Sequence, residues 1–455
     1  MDSRSRIKLI SEGKISTALL KLGVPMIISM LVTALYNVVD AYFVGGLGTS
    51  AIAAVSVAFP ISIVFSGVGL TFGSGGGSYI SRLLGAENRE GASRVASTSL
   101  ISAVFIGIIL AAIILGFLDS TLIFMGATET ILPYAKSYAI IFIMASIINT
   151  FNVAMGNLAV SQGASNISLN AMLAGAILNM ILDPIFIYTL AMGIKGAAIA
   201  TLISQCITTL IYVWYILGGK SYVKIAFSYF TLDKNIYAEV FKIGISMLIL
   251  QLLTSISMGL INKIASNYGD AAVAAMGIVT RVTALGTYVV FGYVKGFQPI
   301  AGYNYGAKSY KRLNEAISVS LKWTTPFCAI WTIIVFIFSK QIVSIFSSDT
   351  NVISIAEKAL RAYSIMFISF GFQFVYSTLF LSLGKAKKGG ILTMGRQGIF
   401  FIPVILTLPS IMGLNGVIYT QAIADLLTTI LTFIFAYNIK NEINTLIEDN
   451  NIVKA

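Results

Sequence analysis

Apolar residues run along this chain in long blocks separated by short polar punctuation. A helix rises about 1.5 Å per residue, so about 20 apolar residues cross the hydrocarbon core of a bilayer. Twelve blocks reach that length. In the first half they cover residues 15–40, 51–75, 95–118, 131–160, 166–190 and 194–217. In the second half they cover 238–262, 272–298, 316–338, 352–382, 391–410 and 414–437. Taken in order as spans 1 to 12, they predict an all-α polytopic membrane protein with six helices in each half. The polar stretch 218–237, with Gly218-Gly219 and three lysines, reads as a linker between an N-lobe (1–217) and a C-lobe (238–437). Residues 438–455 read as a short polar cytoplasmic tail. The first block has a counterpart at 238–262 and no small-residue cleavage site after it, so a span is expected there and not a signal peptide.

The halves also share a register. Residues 23–86 align with 244–307 without a gap, 221 positions apart, and 13 of the 64 pairs are identical. Apolar composition produces chance matches, so the unbroken register and the shared glycines carry the inference. Those glycines include Gly23/Gly244, Gly48/Gly269 and Gly85/Gly306. An even number of spans precedes the second copy, so both copies have one orientation. The expectation is a pair of parallel six-helix lobes related by a pseudo-two-fold axis along the membrane normal, the design of many secondary transporters.

Composition agrees with the blocks. The chain has 455 residues, 57% hydrophobic and 11% charged, with a mean hydropathy of +0.88, which excludes a soluble globular domain. The net charge of +12 does not imply nucleic acid as a partner, because the basic residues cluster in alternate loops. Arg4, Arg6, Lys8 and Lys14 precede span 1; Arg82, Arg89 and Arg94 follow span 2; Lys308, Lys311 and Arg312 follow span 8. The positive-inside rule then predicts a multi-pass protein of the cytoplasmic membrane with both termini in the cytoplasm. There is no histidine, so histidine bases, ligands and pH switches are excluded. Cys206 and Cys328 form no CxxC and read as packed thiols. The glycines from Gly67 to Gly77 end span 2 with no Gly-Lys-Ser/Thr after them. They fit close helix packing and not a phosphate loop. No cofactor is expected, and a monomer is.

Charges at membrane depth are costly and usually mark an ion or substrate path. Asp40 shares one face of span 1 with Thr33 and Asn37; the alternative is a boundary residue in the headgroup layer. Asp183 precedes Pro184 in span 5, with Asn179 one turn earlier. The proline frees a carbonyl, so an oxygen site for a small cation or proton is one reading and a capped kink the other. Asp425 has Gln421 one turn away and serves packing or function equally well. Arg281 and Arg396 either line an aqueous cleft or pair with an acid. In the repeat, Asp40 falls on Ile261, Asn37 on Met258 and Asp183 on Val404. The pair Asp40 and Asp183 is confined to the first copy, as expected of a coupling site housed in one lobe.

These residues resemble the multidrug and toxic compound extrusion (MATE) transporters. The resemblance covers nearly the whole chain. It is carried by Pro25 with Asn37-Val38-Val39-Asp40, by Gly163, by Ile177 to Pro184, by Gly196 to Thr201, and by Gly296-Phe297-Gln298-Pro299 through Ala307. The pattern is most similar to the DinF/MepA-like branch. The resemblance implies an antiporter that exports cationic or amphipathic compounds by alternating access, coupled to H⁺ or Na⁺. It implies a cation site, for a proton or Na⁺, at Asp40, Asn179, Asp183 and Thr201. A C-lobe sodium site of the NorM type is not implied, because Thr254 stands at the span 7 position and no acid lies between Arg361 and Gly384. Tyr36, Asn37, Met155, Met180, Arg281 and Gln298 are the substrate-path candidates, although aromatic and methionine side chains also serve packing. The competing reading is a flippase for lipid-linked oligosaccharide or another lipid, with a related fold and an arginine-rich cleft. An enzyme is disfavoured by the missing histidines and paired cysteines, and a scaffold or channel subunit by the intramembrane acids.

Overall fold

The structure, a computed structural model, describes residues 2–452. All described secondary structure is helical. Eleven helices are long and apolar enough to cross a bilayer, and a bent pair supplies a twelfth span. Spans 1 to 6 are Ile15–Gly45, Thr49–Gly85, Arg89–Gly116, Leu132–Ser161, Ser165–Pro184 and Gly193–Leu217. Spans 7 to 9 are Lys234–Ala265, Asp270–Gly306 and Tyr310–Ile337. Span 10 is the bent pair, Thr350–Phe367 and Phe370–Ser382, with 51° between its halves. The Ser369 hydroxyl answers the Met366 carbonyl at that break, at 2.8 Å. Span 11 comprises Ala386–Met394 and Phe401–Met412 around a π-helical turn, Gly395–Ile399. Span 12 runs from Leu414 to Ile452. An amphipathic helix, Ser3–Ser11, precedes them, and Asp2 caps it by accepting the Ser5 N–H at 2.9 Å.

Three boundaries differ from the hydropathy reading. Spans 2 and 8 continue through Gly85 and Gly306, because in lipid the helix is the cheapest way to pair every backbone group, glycine-rich or not. The chain between spans 2 and 3, residues 86–88, and between spans 8 and 9, residues 307–309, makes tight turns. Glu87 and Lys308, 221 positions apart, both take a left-handed backbone there, at φ 59° and 54°. The polar tail beyond Tyr437 is helical and continuous with span 12. The repeat extends past the aligned segment: Gly48 and Gly269 have φ 97° and 95°, and Gly163 and Gly384 both have φ 77°. An L side chain is strained at these angles, so glycine at both members of each pair keeps the turns equivalent.

The lobes meet by exchange of helices. Span 1 packs on span 8, and span 7 packs on span 2. The shared glycines lie on these crossings. A Cβ on Gly244 would lie 2.1 Å from the Thr71 carbonyl oxygen, and one on Gly75 2.2 Å from that of Val240. Across the axis, a Cβ on Gly296 would lie 2.5 Å from the Gly23 backbone. Gly85 and Gly306 close the same seam: a Cβ on either would lie 2.0 Å from a carbonyl oxygen of the opposite helix. Polar contacts reinforce it on the side that carries the linker. Arg82 pairs with Glu239 at 2.8 Å, and Ser78 donates to the Leu381 carbonyl at 2.7 Å. Arg312 donates to the Gly13 carbonyl at 2.7 Å, binding the C-lobe to the end of the Ser3–Ser11 helix.

The buried cores show which end is closed. On the linker side the two large apolar clusters mix lobes: Ile10, Leu19 and Leu22 pack with Val290, Phe297 and Phe380, and Phe72 and Ile80 with Ile236 and Val240. On the far side each cluster stays within one lobe, Val44 to Ala198 in one and Ile261 to Ala424 in the other. The lobes therefore join at the linker side and part toward the far side.

The C-lobe contains its own buried ion pair. Arg396, in the π-helical turn of span 11, donates Nε–H to Asp425 Oδ1 at 2.7 Å, and Gln421 donates to the same oxygen at 2.9 Å. The Arg396 guanidinium also lies 4.4 Å from the centre of the Phe370 ring. This answers both alternatives left for Arg396 and Asp425: they satisfy each other. Two outcomes are expected. Gly244→Ala should destabilise the protein by about 1–3 kcal/mol, because a backbone oxygen must move. Gly277→Ala, which meets nothing within 4 Å, should be neutral or stabilising by up to about 1 kcal/mol. Arg396→Ala should cost about 3–5 kcal/mol by stranding Asp425, whereas Arg396→Met with Asp425→Leu should be near neutral. Thermal unfolding in detergent checks both pairs.

Candidate functional site in the N-lobe

Polar residues at helical spacing point into the interior of the N-lobe. Span 1 supplies Met26, Met30, Thr33, Tyr36, Asn37 and Asp40, one stripe at intervals of three or four. Spans 2, 4, 5 and 6 complete a cavity of about 510 Å³. The C-lobe adds only Gln251 and Lys295 to its described lining. A volume of this size suits a drug-sized ligand.

The four residues expected to form a cation site fall in one region. Asn179 and Asp183 are fully buried, one helical turn apart on span 5, and Thr201 faces them from span 6. The Asn179 amide donates to Asp183 Oδ1 at 3.3 Å and to Thr201 Oγ1 at 3.5 Å. Thr201 gives its own proton to the Ala197 carbonyl at 3.0 Å, so toward Asn179 it can only accept. Asn179 Oδ1 and Asp183 Oδ2 are then left buried without a partner. Each such oxygen costs about 1–3 kcal/mol until something answers it. Past Pro184 the chain makes a π-helical turn, Ile185–Thr189. Tyr188 in that turn donates to the Phe43 carbonyl at 2.6 Å, tying it to span 1 just beyond Asp40. Asp40 itself is half-buried and lines the cavity beside Asn179 and Thr201. All four residues offer oxygen and no nitrogen or sulfur ligand. That set suits a proton or a hard cation such as Na⁺. Among the described residues no group of three or more His, Cys, Asp or Glu comes together.

The other candidates are dispersed. Tyr36 and Asn37 line the cavity. Gln298 lies below it, in a narrow cleft with Ser74, Asn157 and Lys295. Met155 is fully buried in the N-lobe core, Met180 is off the cavity wall, and Arg281 is exposed on span 8 away from it. Attention to carboxylates alone misses most of the lining. Asn152 donates to Gln205 Oε1 at 2.8 Å, and Asn149 to Ser66 Oγ at 3.1 Å. The signal for them was present as polar positions on spans 4 and 6 at helical spacing: Ser146, Asn149, Asn152, Gly156 and Asn157, then Thr201, Ser204, Gln205, Thr208 and Tyr212.

Comparison with known proteins gives one answer. The MatE family model matches residues 25–185 and 243–407, once in each lobe. The multidrug export protein MepA of Staphylococcus saprophyticus is 28% identical over 434 residues, covering 95% of this chain and 96% of that protein. A crystal structure of MATE in complex with MaL6 superposes with a TM-score of 0.91 at 28% identity, covering 97% of this chain and 99% of the other. An outward-facing multidrug resistance MATE family transporter of the MOP superfamily superposes at 0.90 and 28%, covering 97% and 98%. Duplicated lobes, an N-lobe cavity and family matches to both halves converge: this chain belongs to the MATE family of membrane transporters.

Proposed function

We propose that this protein exports drug-like amphipathic compounds by antiport, with H⁺ or Na⁺ as the counter-ion. Asp40, Asn179, Asp183 and Thr201 are the proposed coupling site. The reading is carried by one observation: a buried carboxylate and amide, each with an unanswered oxygen, stand beside a drug-sized cavity within a single lobe. The basic linker side is read as cytoplasmic. The described state, joined at that side, is then the one that releases cargo outward and takes up ions.

The residues supply the coupling directly. A proton on Asp183 removes its charge and turns the orphan oxygen into a donor, with Asn179 Oδ1 available to accept. A sodium ion would be held by the same oxygens. Either occupant removes the penalty that the empty pair carries, so the loaded and empty lobes favour different packing of spans 1 and 5. Alternating access then follows from a shift of populations between two lobe arrangements.

Magnitudes limit the exchange. One pH unit supplies about 1.4 kcal/mol per proton, and 100 mV about 2.3 kcal/mol per charge moved. Exchange of one proton for one monovalent cation moves no net charge and supports only about tenfold accumulation per pH unit. A second ion, or an uncharged cargo, brings in the potential as well.

Vesicle efflux of a fluorescent cation, with pH and Na⁺ gradients imposed separately, tests the reading. One gradient should drive efflux, and indifference to both would exclude antiport. Asp40→Asn and Asp183→Asn should each lower gradient-driven efflux at least about tenfold while leaving membrane insertion and melting temperature unchanged. Wild-type efflux by either variant would remove that residue from the coupling site.

A further inference from the structure

We infer that the floor of the N-lobe cavity is an anion subsite centred on Lys295, so that the cargo includes amphipathic compounds bearing a carboxylate. The inference rests on the reading that this cavity carries the cargo, and it assigns a recognition chemistry to the cavity's closed end.

Lys295 and Asp40 are the only charged side chains in the described lining. Lys295 is half-buried, and among the described residues its ammonium meets no carboxylate and no hydrogen-bond acceptor. Intramembrane lysines normally pair with an acid or a carbonyl, because an unanswered charge there costs several kcal/mol. The fold gives this one no such partner. Span 8 enters the seam at Gly296, which packs on Gly23, and so holds Lys295 at the junction of the lobes. Its repeat counterpart is Ser74, and the two face each other across the narrow cleft below the cavity. Span 2 offers glycines at 73, 75, 76 and 77 on this stretch, and its one hydroxyl there, Ser74, is directed at Asn157 Oδ1, at 3.5 Å.

Asp40 cannot answer it either. Seventeen residues of span 1 separate Gly23 from Asp40, about 25 Å of helix. At that distance the attraction is about one sixth of that of a contact pair at 4 Å, whatever the dielectric. The two ends of the cavity are therefore independent, an acid at one and a base at the other. The neighbours of Lys295 suit an anion. The Asn157 amide is committed to the Val153 carbonyl at 2.8 Å, whereas the Gln298 amide lines the same cleft with its donors unused. An unanswered ammonium on the cavity floor matches a carboxylate, and the cleft below it, about 10 Å³, has room for a single water at most, so the anion would be held from the cavity side. Because the coupling acids lie at the opposite end, an anionic group on the cargo need not compete with the counter-ion.

The test uses rhodamine 110 and its methyl ester, rhodamine 123, which share one cationic ring system and differ in a free carboxylate. Equilibrium anisotropy with the purified full-length protein in detergent gives both affinities. Wild type should bind the free acid at least about tenfold tighter than the ester, the scale of one charge-assisted hydrogen bond. Lys295→Gln should abolish that preference by weakening the acid alone, and Lys295→Arg should retain it. Equal wild-type affinity for the two dyes, which needs no variant to observe, would overturn the subsite. So would a Lys295→Gln variant that shifts both dyes alike. Failure of vesicles to export either dye, with the binding preference intact, would count against the export reading and leave the subsite standing.

Discussion

The structure depends on the close approach of four helix backbones at its centre. Spans 1 and 8, and by symmetry spans 7 and 2, cross where glycine replaces any larger residue: Gly23 against Gly296, and Gly244 against Gly75. In a bilayer the hydrophobic effect does not drive helices together, since lipid is as apolar as their side chains. Dispersion at short range must do so, and it falls off within an ångström of lost contact. A glycine seam provides that range. It also confines the join to one side, because the glycines lie on the linker half of the crossings and the far halves pack only within their own lobes.

A seam of this kind sets what each lobe can become. The two copies keep the glycines that hold them together and are free to differ elsewhere. Where the N-lobe has Asp40, the C-lobe has Ile261, packed in its core. The C-lobe's own buried acid, Asp425, is paired with Arg396 and accepts a hydrogen bond from Gln421, while Asp183 and Asn179 retain unanswered oxygens. The buried acid of the C-lobe is paired, and that of the N-lobe is not. In the proposed antiport, an occupant that answers these oxygens would bind the two arrangements of the lobe unequally, which is the physical requirement for coupling an ion to a movement.

The sequence by itself determined the spans, the duplication and the family. Apolar blocks of bilayer length leave little choice but helix, and a gapless register of glycines marks a repeated scaffold. Asp183 with Asn179 one turn earlier was also legible, since charge in lipid is rare enough to stand out, whereas Thr201 entered only through the family resemblance. Tertiary structure alone decided three things. It paired Arg396 with Asp425, because partners on different helices have no fixed spacing in the chain. It placed Met155 in the core and Arg281 on the exposed surface, because hydropathy does not say which face of a helix meets lipid, protein or water. And it brought Lys295 to the cavity floor without a partner. In sequence that residue is one basic position between Val294 and Gly296; only the crossing of two helices at a glycine determines that nothing nearby answers its charge.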